Sequence, residues 1–165
     1  MELKSQQIIF EEHADISTLA PADAALLRAA REATKHAYAP YSHFRVGAVL
    51  QLANGKQVMG TNQENASYPV GICAERTGLS AASSLYPDVP VQTIAVSYHN
   101  ELGDSTRPIS PCGLCRQTLA EYQQRFKAPI RLILSGLTGK VIVIPDALSL
   151  LPLSFSSDDM KYFSL

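Results

Sequence analysis

Two short motifs hold the residues of this chain that are best suited to chemistry. Cys73 and Glu75 form a Cys-x-Glu motif, and Cys112 and Cys115 form a Cys-x-x-Cys motif preceded by a proline. Three residues of helix span about one turn, so one small cation can accept both sulfurs of the second motif, and Cys73 can supply a third ligand. Three thiolates favour zinc over other divalent metals. The spacing therefore predicts a zinc site.

The number of protein ligands separates a catalytic zinc site from a structural one. Structural zinc is generally closed by four protein ligands, whereas catalytic zinc keeps one position for water. The chain has only three cysteines, so the alternative fourth ligand is a histidine. None of the four histidines lies in a ligand-like pair, which favours the open site; they are His13, His36, His43 and His99.

Glu75 is the candidate acid and base of this site. It stands two residues after Cys73, close enough to reach a water on the metal, and a carboxylate there can move protons. The alternative is a carboxylate that merely favours the positive end of a helix. The neighbouring cysteines favour the catalytic interpretation.

Arg116 directly follows the predicted ligand Cys115, and Arg76 stands three residues after Cys73. Three thiolates on one Zn²⁺ leave a net charge of −1, which a nearby cation would offset. We therefore predict that Arg76 donates hydrogen bonds to ligand sulfurs. The alternative, two exposed helix arginines, is the favoured interpretation for Arg116.

The pattern of apolar and turn residues predicts the elements that position these motifs. Helix formers after Pro21, hairpin residues at Asn54-Gly55, and alternating helices and strands give the order α-β-β-α-β-α-β-β. Such an order indicates a three-layer α/β/α sandwich with one mixed five-stranded sheet. The predicted elements are helices at 21–37, 73–85 and 112–126, and strands at 44–52, 57–60, 91–98, 130–134 and 141–144.

No linker or internal repeat divides the chain, so we predict a single domain over residues 1–165. Residues 1–20 form a leader without an assigned role, with a β-like run at 7–10 that is a candidate edge strand.

Composition and charge exclude several classes of function. The formal net charge is −1 and no run of Lys and Arg is present, which argues against a long polynucleotide partner. No stretch approaches the ~20 apolar residues of a membrane span, and the first residues lack a signal-peptide pattern. We therefore expect a cytoplasmic protein with reduced thiols, no nucleic-acid partner and no membrane partner.

The Cys-x-Glu and Pro-Cys-x-x-Cys pair resembles the zinc deaminase signature. The similarity to the short cytidine deaminases extends from the first helix to Phe155, and its motifs are Ala39 to Ala48, Asn62 to Tyr68, Cys73 to Thr77, Pro111 to Gln117 and Leu151 to Phe155. This resemblance implies zinc-dependent hydrolysis of cytidine and deoxycytidine to uridine and deoxyuridine, with release of ammonia.

The resemblance also implies which residues bind the nucleoside. Asn62 and Glu64 would hydrogen-bond the ribose hydroxyls, Ala74 would contact the base through its backbone, and Phe44 and Phe155 would flank the pyrimidine ring. From the residues alone, each phenylalanine is as well explained by core packing and the Asn/Glu pair by turn chemistry.

A homotetramer with shared active sites is implied as well. Tyr41 and Tyr68 would approach the sugar, either within one subunit or across a subunit interface. The nucleoside contacts and the oligomeric state are implied by the resemblance alone, and the spacing of the residues does not show them.

Three alternatives remain beside cytidine deamination. The first is a deaminase of a modified cytosine nucleoside such as an aminoacyl-nucleoside antibiotic. The second is a nucleotide-directed or nucleic-acid editing deaminase, which the commoner His ligand and the absent positive charge disfavour. The third is a non-catalytic, zinc-stabilised interaction domain.

Overall fold

The protein is built on one mixed sheet. The computed structural model describes the backbone of residues 1–163 and the side chains of residues 1–160. The sheet has six strands in the order β1-β6-β5-β4-β2-β3. Only β4 and β5 are parallel, while the other neighbouring strands are antiparallel. The strands are β1 (Glu11–His13), β2 (Phe44–Leu52), β3 (Gln57–Thr61), β4 (Val91–Asn100), β5 (Arg131–Ser135) and β6 (Val141–Ile144).

The prediction of five strands is wrong because the leader contributes a sixth, β1. This strand pairs antiparallel with β6, and Lys140 Nζ lies 2.6 Å from Glu12 Oε1 across the pair. The β-like run at 7–10 lies just before β1, has no regular structure and is exposed. The pairing with β6, and not an alternation of apolar residues, therefore determines which residues form this strand.

Helices cover both faces of the sheet, which confirms the three-layer sandwich. The helices are α1 (Pro21–Ala33), α2 (Ala74–Leu85) and α3 (Gly113–Phe126). On one face, α1 buries Leu27 and Ala30 against Val49 and Ile133. On the other face, α2 and α3 bury apolar side chains against the opposite sides of the same strands, including Leu79, Leu119, Leu50 and Leu132.

The first helix is shorter than predicted. It ends at Ala33 and continues as a 3₁₀ turn, Thr34–His36. The Thr34 hydroxyl donates to the Arg31 carbonyl oxygen at 2.7 Å, a local bond that competes with helix continuation. None of the helices in the described part of the chain combines the length and apolar character needed to cross a bilayer.

Candidate active site

The three cysteines meet where two helices begin. Cys73 is the N-cap residue of α2, Cys112 is the N-cap residue of α3, and Cys115 lies in the first turn of α3. The Cys112 Sγ lies 3.6 Å from the Cys73 Sγ and 3.5 Å from the Cys115 Sγ, and all three sulfurs lie within 4.8 Å of one another.

This geometry fits a zinc ion. Zn–S bonds of about 2.3 Å in a tetrahedron require sulfurs about 3.8 Å apart. Over residues 1–160, no ligand atom of a histidine, aspartate or glutamate joins the three sulfurs to form a larger group. The side chains of His13 and His43 have other partners, Glu11 and Glu101.

The electrostatics of the thiols follow from their mutual contacts. The pKa of Cys73 falls to about 6 because Cys115 and Cys112 donate hydrogen bonds to its sulfur and the Arg76 charge is nearby; partial burial opposes this fall. The pKa of Cys115 is raised, since its thiol donates to Cys73 and is buried. One sulfur therefore ionises readily, and a cation is required to hold all three as thiolates.

Glu75 is buried beside the sulfurs, with 5% of its surface exposed. Burial raises the pKa of its carboxyl above the ordinary value, and the charge of Cys73 raises it further, while its own backbone N–H and the Cys115 thiol act in the opposite direction. A raised pKa makes this carboxylate a stronger base than an ordinary glutamate, so it is better suited to accept a proton and pass it on. That property is the one required of a proton shuttle.

A cavity of about 310 Å³ opens onto Glu75 and two of the sulfurs. The helix starts line it on one side with Cys73, Ala74 and Cys112, and the segment after β3 lines it on the other with Asn62 and Glu64. The structure therefore brings three of the five predicted substrate contacts to the same cavity as the predicted acid/base. A cavity of this size is typical of small-molecule binding sites.

Asn62 is held by β2. Its Nδ2 donates to the Phe44 carbonyl oxygen at 2.9 Å, and its Oδ1 accepts from the Val46 N–H at 2.7 Å. These bonds fix the amide orientation, and the second lone pair of Oδ1 remains for another donor.

Glu64 is held by the loop that precedes β2. Its Oε2 accepts from the backbone N–H groups of Tyr41 and Ser42 at 2.9 Å and 3.2 Å, and its Oε1 accepts from the Ser42 hydroxyl. Partial desolvation raises the pKa of the Glu64 carboxyl, but these three donors outweigh it and the net shift is downward. The carboxylate is therefore ionised at neutral pH.

Phe44 does not line the metal cavity. Its ring stacks on Tyr98 with centroids 4.8 Å apart and planes 14° apart, and both rings line a neighbouring cavity of about 380 Å³. Ile109 lines both cavities, so the cavity beside Phe44 adjoins the metal cavity.

Phe155 lies outside both cavities and is 60% exposed. Its carbonyl oxygen accepts a hydrogen bond from Gln117 Nε2 at 3.0 Å, so α3 holds its backbone while the ring faces solvent. Within one chain, the structure does not bring Phe155 to the predicted base site.

The two arginines differ in what they contact. Arg116 donates from Nε to the Pro111 carbonyl oxygen at 2.8 Å and from Nη1 to the Leu150 carbonyl oxygen at 3.1 Å. It thereby ties the start of α3 to the C-terminal segment. The Arg76 guanidinium acts on Cys73 through its charge, and the described part of the chain contains no hydrogen bond from it to a sulfur.

Sequence reasoning missed several residues that line the cavities. Ile109 and Ser110 immediately precede the second motif, and this position is the signal that could have identified them. Tyr41 and Tyr68, predicted near the sugar, meet edge to face with centroids 6.0 Å apart and line an adjoining cavity of about 370 Å³ that Glu64 also borders.

A mixed sheet between helical layers, with three thiols at two helix starts beside a buried carboxylate, defines the class of zinc-dependent deaminases. Residues 21–128 match the model of the cytidine and deoxycytidylate deaminase zinc-binding region. The chain belongs to this family of zinc-binding deaminases, and the predicted resemblance and zinc dependence are confirmed.

Individual relatives agree with this assignment. A cytidine deaminase of Halalkalibacterium halodurans is 38% identical over 136 residues, which cover 82% of this chain and 96% of the relative. The crystal structure of cytidine deaminase from Burkholderia pseudomallei has a TM-score of 0.69 and 41% identity, covering 79% of this chain and 97% of that one. A blasticidin-S deaminase of Bacillus cereus is 29% identical over 122 residues, 73% of this chain and 83% of the relative.

Proposed function

We propose that the protein hydrolyses cytidine and deoxycytidine to uridine and deoxyuridine, with release of ammonia. The observation that carries this proposal is the buried Glu75 carboxyl, which shares one cavity with the cysteine cluster and with Asn62 and Glu64. The metal end of the cavity supports hydrolysis, and the polar end supports recognition of a sugar. The relatives named cytidine deaminase support the same substrate.

Cys73, Cys112 and Cys115 would hold the ion. When bound, zinc would supply a Lewis acid that acidifies water. Glu75 would accept a proton from the attacking water and deliver it to N3 of the cytosine ring as the water oxygen adds to C4. The same carboxyl then carries the second proton of the water to the amino group. Ammonia leaves, and the C4 carbonyl of uridine remains.

Asn62, Glu64 and Ala74 would bind the nucleoside within the metal cavity. A carboxylate and an amide oxygen accept hydrogen bonds from ribose hydroxyls, and the Ala74 backbone, fully buried at the start of α2, would contact the base edge. Phe44 and Phe155 would flank the ring. Phe44 would contact the ring from the adjoining cavity that it lines, and Phe155, which lies outside the cavities of its own chain, would contact the ring in a second chain.

We further propose a homotetramer whose active sites are shared between subunits. Three of the four aromatic side chains predicted at the sugar and base are exposed in the single chain, namely Tyr41, Tyr68 and Phe155. Exposed aromatics beside a cavity are typical of surfaces that a partner covers.

The proposal also includes a cytoplasmic location and one domain over residues 1–165. Arg76 would stabilise the Cys73 thiolate through its charge, and Arg116 would support the start of α3. The low net charge of −1 supports a small-molecule substrate rather than a nucleic acid.

Deamination of an aminoacyl-nucleoside antibiotic is the second candidate. The observation that favours it is the similarity to a relative named blasticidin-S deaminase. We favour cytidine deamination as the function because the relatives named cytidine deaminase are more similar in sequence to this chain.

An ammonia-release assay on the purified zinc protein tests both candidates. We expect turnover of cytidine and deoxycytidine, little turnover of blasticidin S, and one zinc per chain by elemental analysis. A zinc-loaded protein that releases ammonia only from blasticidin S supports the second candidate. No release from any cytosine nucleoside overturns both.

A further inference from the structure

Ser42 joins two residues that are proposed to hold the nucleoside. Its hydroxyl donates to Glu64 Oε1, and its backbone N–H donates to Glu64 Oε2 at 3.2 Å. The same hydroxyl oxygen accepts the Phe44 backbone N–H at 3.0 Å. One side chain therefore contacts both the carboxylate proposed for the sugar and the backbone of the aromatic residue proposed for the base.

The backbone around Phe44 is fixed on its other side as well. The Phe44 carbonyl oxygen accepts from Asn62 Nδ2 at 2.9 Å. His43, between the serine and the phenylalanine, has a left-handed φ of 56°, and its carbonyl oxygen accepts from the Glu101 N–H at 2.9 Å. Ser42 thus lies in a turn that these bonds hold in place.

The bonds to Glu64 leave the carboxylate one direction for a ligand. Two carboxylate oxygens offer about four acceptor sites. Three donors from the loop, the N–H groups of Tyr41 and Ser42 and the Ser42 hydroxyl, occupy three of them. Because Glu64 lines the metal cavity, its remaining acceptor site is available to a hydroxyl bound there.

We propose that Ser42 is a positioning residue for sugar recognition: its hydroxyl orients Glu64 toward the nucleoside hydroxyls and ties that carboxylate to the backbone of Phe44. This inference rests on the proposed function, since it requires a nucleoside substrate. Ser42 itself takes no part in proton transfer, so its contribution is to binding and not to the rate of the chemical step.

Steady-state kinetics of Ser42→Ala, Ser42→Thr and the wild type test the proposal. With cytidine we expect Ser42→Ala to raise KM about tenfold and to change kcat less than about twofold, because a hydrogen bond to a charged group is lost. Ser42→Thr keeps the hydroxyl and should recover most of the wild-type KM. Ser80→Ala is the matched control, since Ser80 is an exposed serine on α2, and it should leave both constants unchanged.

A substrate without sugar hydroxyls separates positioning from a general loosening of the loop. With 2′,3′-dideoxycytidine, Ser42→Ala should raise the KM, or the inhibition constant if turnover is too slow, by clearly less than with cytidine, because only the bond to the Phe44 N–H is lost. A loosened loop would weaken the binding of both nucleosides equally. That result would overturn the proposal. In a Glu64→Gln background, Ser42→Ala should change the KM for cytidine by less than about twofold more, because the two residues act as one unit.

The two proposals fail in different ways. A wild-type protein that releases no ammonia from cytidine contradicts the proposed function. An active wild type whose Ser42→Ala variant keeps the same KM contradicts only the role of Ser42.

Discussion

A β-carbon on Gly60 would lie 2.2 Å from the carbonyl oxygen of Ala74. It would also lie 2.3 Å from the backbone nitrogen of Gly78, one turn further along α2. Strand β3 and the first turns of α2 are therefore in backbone contact. This contact sets the position of the helix that carries Cys73 and Glu75.

Gly60→Ala should displace α2 from β3, because backbone cannot yield as a flexible side chain can. We expect a loss of about 1–3 kcal/mol of stability, typical of overpacking, together with reduced turnover. Thermal unfolding and ammonia release measure the two effects. Gly113→Ala is the control, since an added β-carbon there meets no atom within 4 Å and should leave the melting temperature unchanged or slightly higher.

Glu75→Gln should bind zinc and fold like the wild type while losing turnover. The amide keeps the volume of the buried side chain but cannot accept the proton, which predicts a loss of about 10²–10⁴-fold in kcat. Elemental analysis and ammonia release on the same preparation separate metal content from chemistry. A Glu75→Gln protein with wild-type kcat would exclude the proton-shuttle mechanism.

Cys112→Ala should lose both the metal and part of the folding stability. Metal binding adds to the free energy of unfolding, so losing the metal lowers the melting temperature, by about 2–4 °C per kcal/mol for a chain of this size. Addition of a chelator should lower the melting temperature of the wild type and leave that of Cys112→Ala unchanged. An equal chelator response in both proteins would place the metal elsewhere.

Ser97→Ala should stabilise the protein or leave its stability unchanged. The Ser97 side chain is fully buried in β4, and its hydroxyl has no hydrogen-bond partner in the described part of the chain. Removing this hydroxyl should increase the free energy of unfolding by up to about 1 kcal/mol, as measured by urea denaturation.

Ser135→Ala is the matched comparison for Ser97. Ser135 is equally buried, but its hydroxyl donates to the Lys140 carbonyl oxygen at 3.0 Å and accepts from Arg31 at 3.2 Å. Its removal leaves both partners unsatisfied and should destabilise by about 1–3 kcal/mol. Equal effects of the two substitutions would show that hydrogen bonding does not distinguish these sites.

Local spacing made the metal cluster predictable. Cys112 and Cys115 are one helical turn apart, so any helix that starts at the motif brings the sulfurs together. The helix starts, the hairpin at Gly55 and the turn at Gly139 are local in the same sense, and both glycines have the positive φ that such turns require. Features of this kind can be read from a few neighbouring residues.

Long-range packing made the rest unpredictable. Strand β1 has the sequence Glu-Glu-His, which carries no apolar alternation, and it exists because β6 offers an edge. The stack of Phe44 on Tyr98 depends on the register of β2 against β4. The contact between Gly60 and α2 could have been suspected, since a glycine inside a strand often marks a close backbone approach.

The position of β1 has a practical consequence for handling the protein. Strands β6 and β5 separate it from β4, whereas the metal cavity is bordered by residues of β2, the segment after β3 and the starts of α2 and α3. Residues 1–10 are exposed and directly precede β1, which lies at the opposite edge of the sheet. A fluorescent label or a solid support attached through this segment would therefore be joined to the edge of the sheet that is remote from the metal cavity of the same chain.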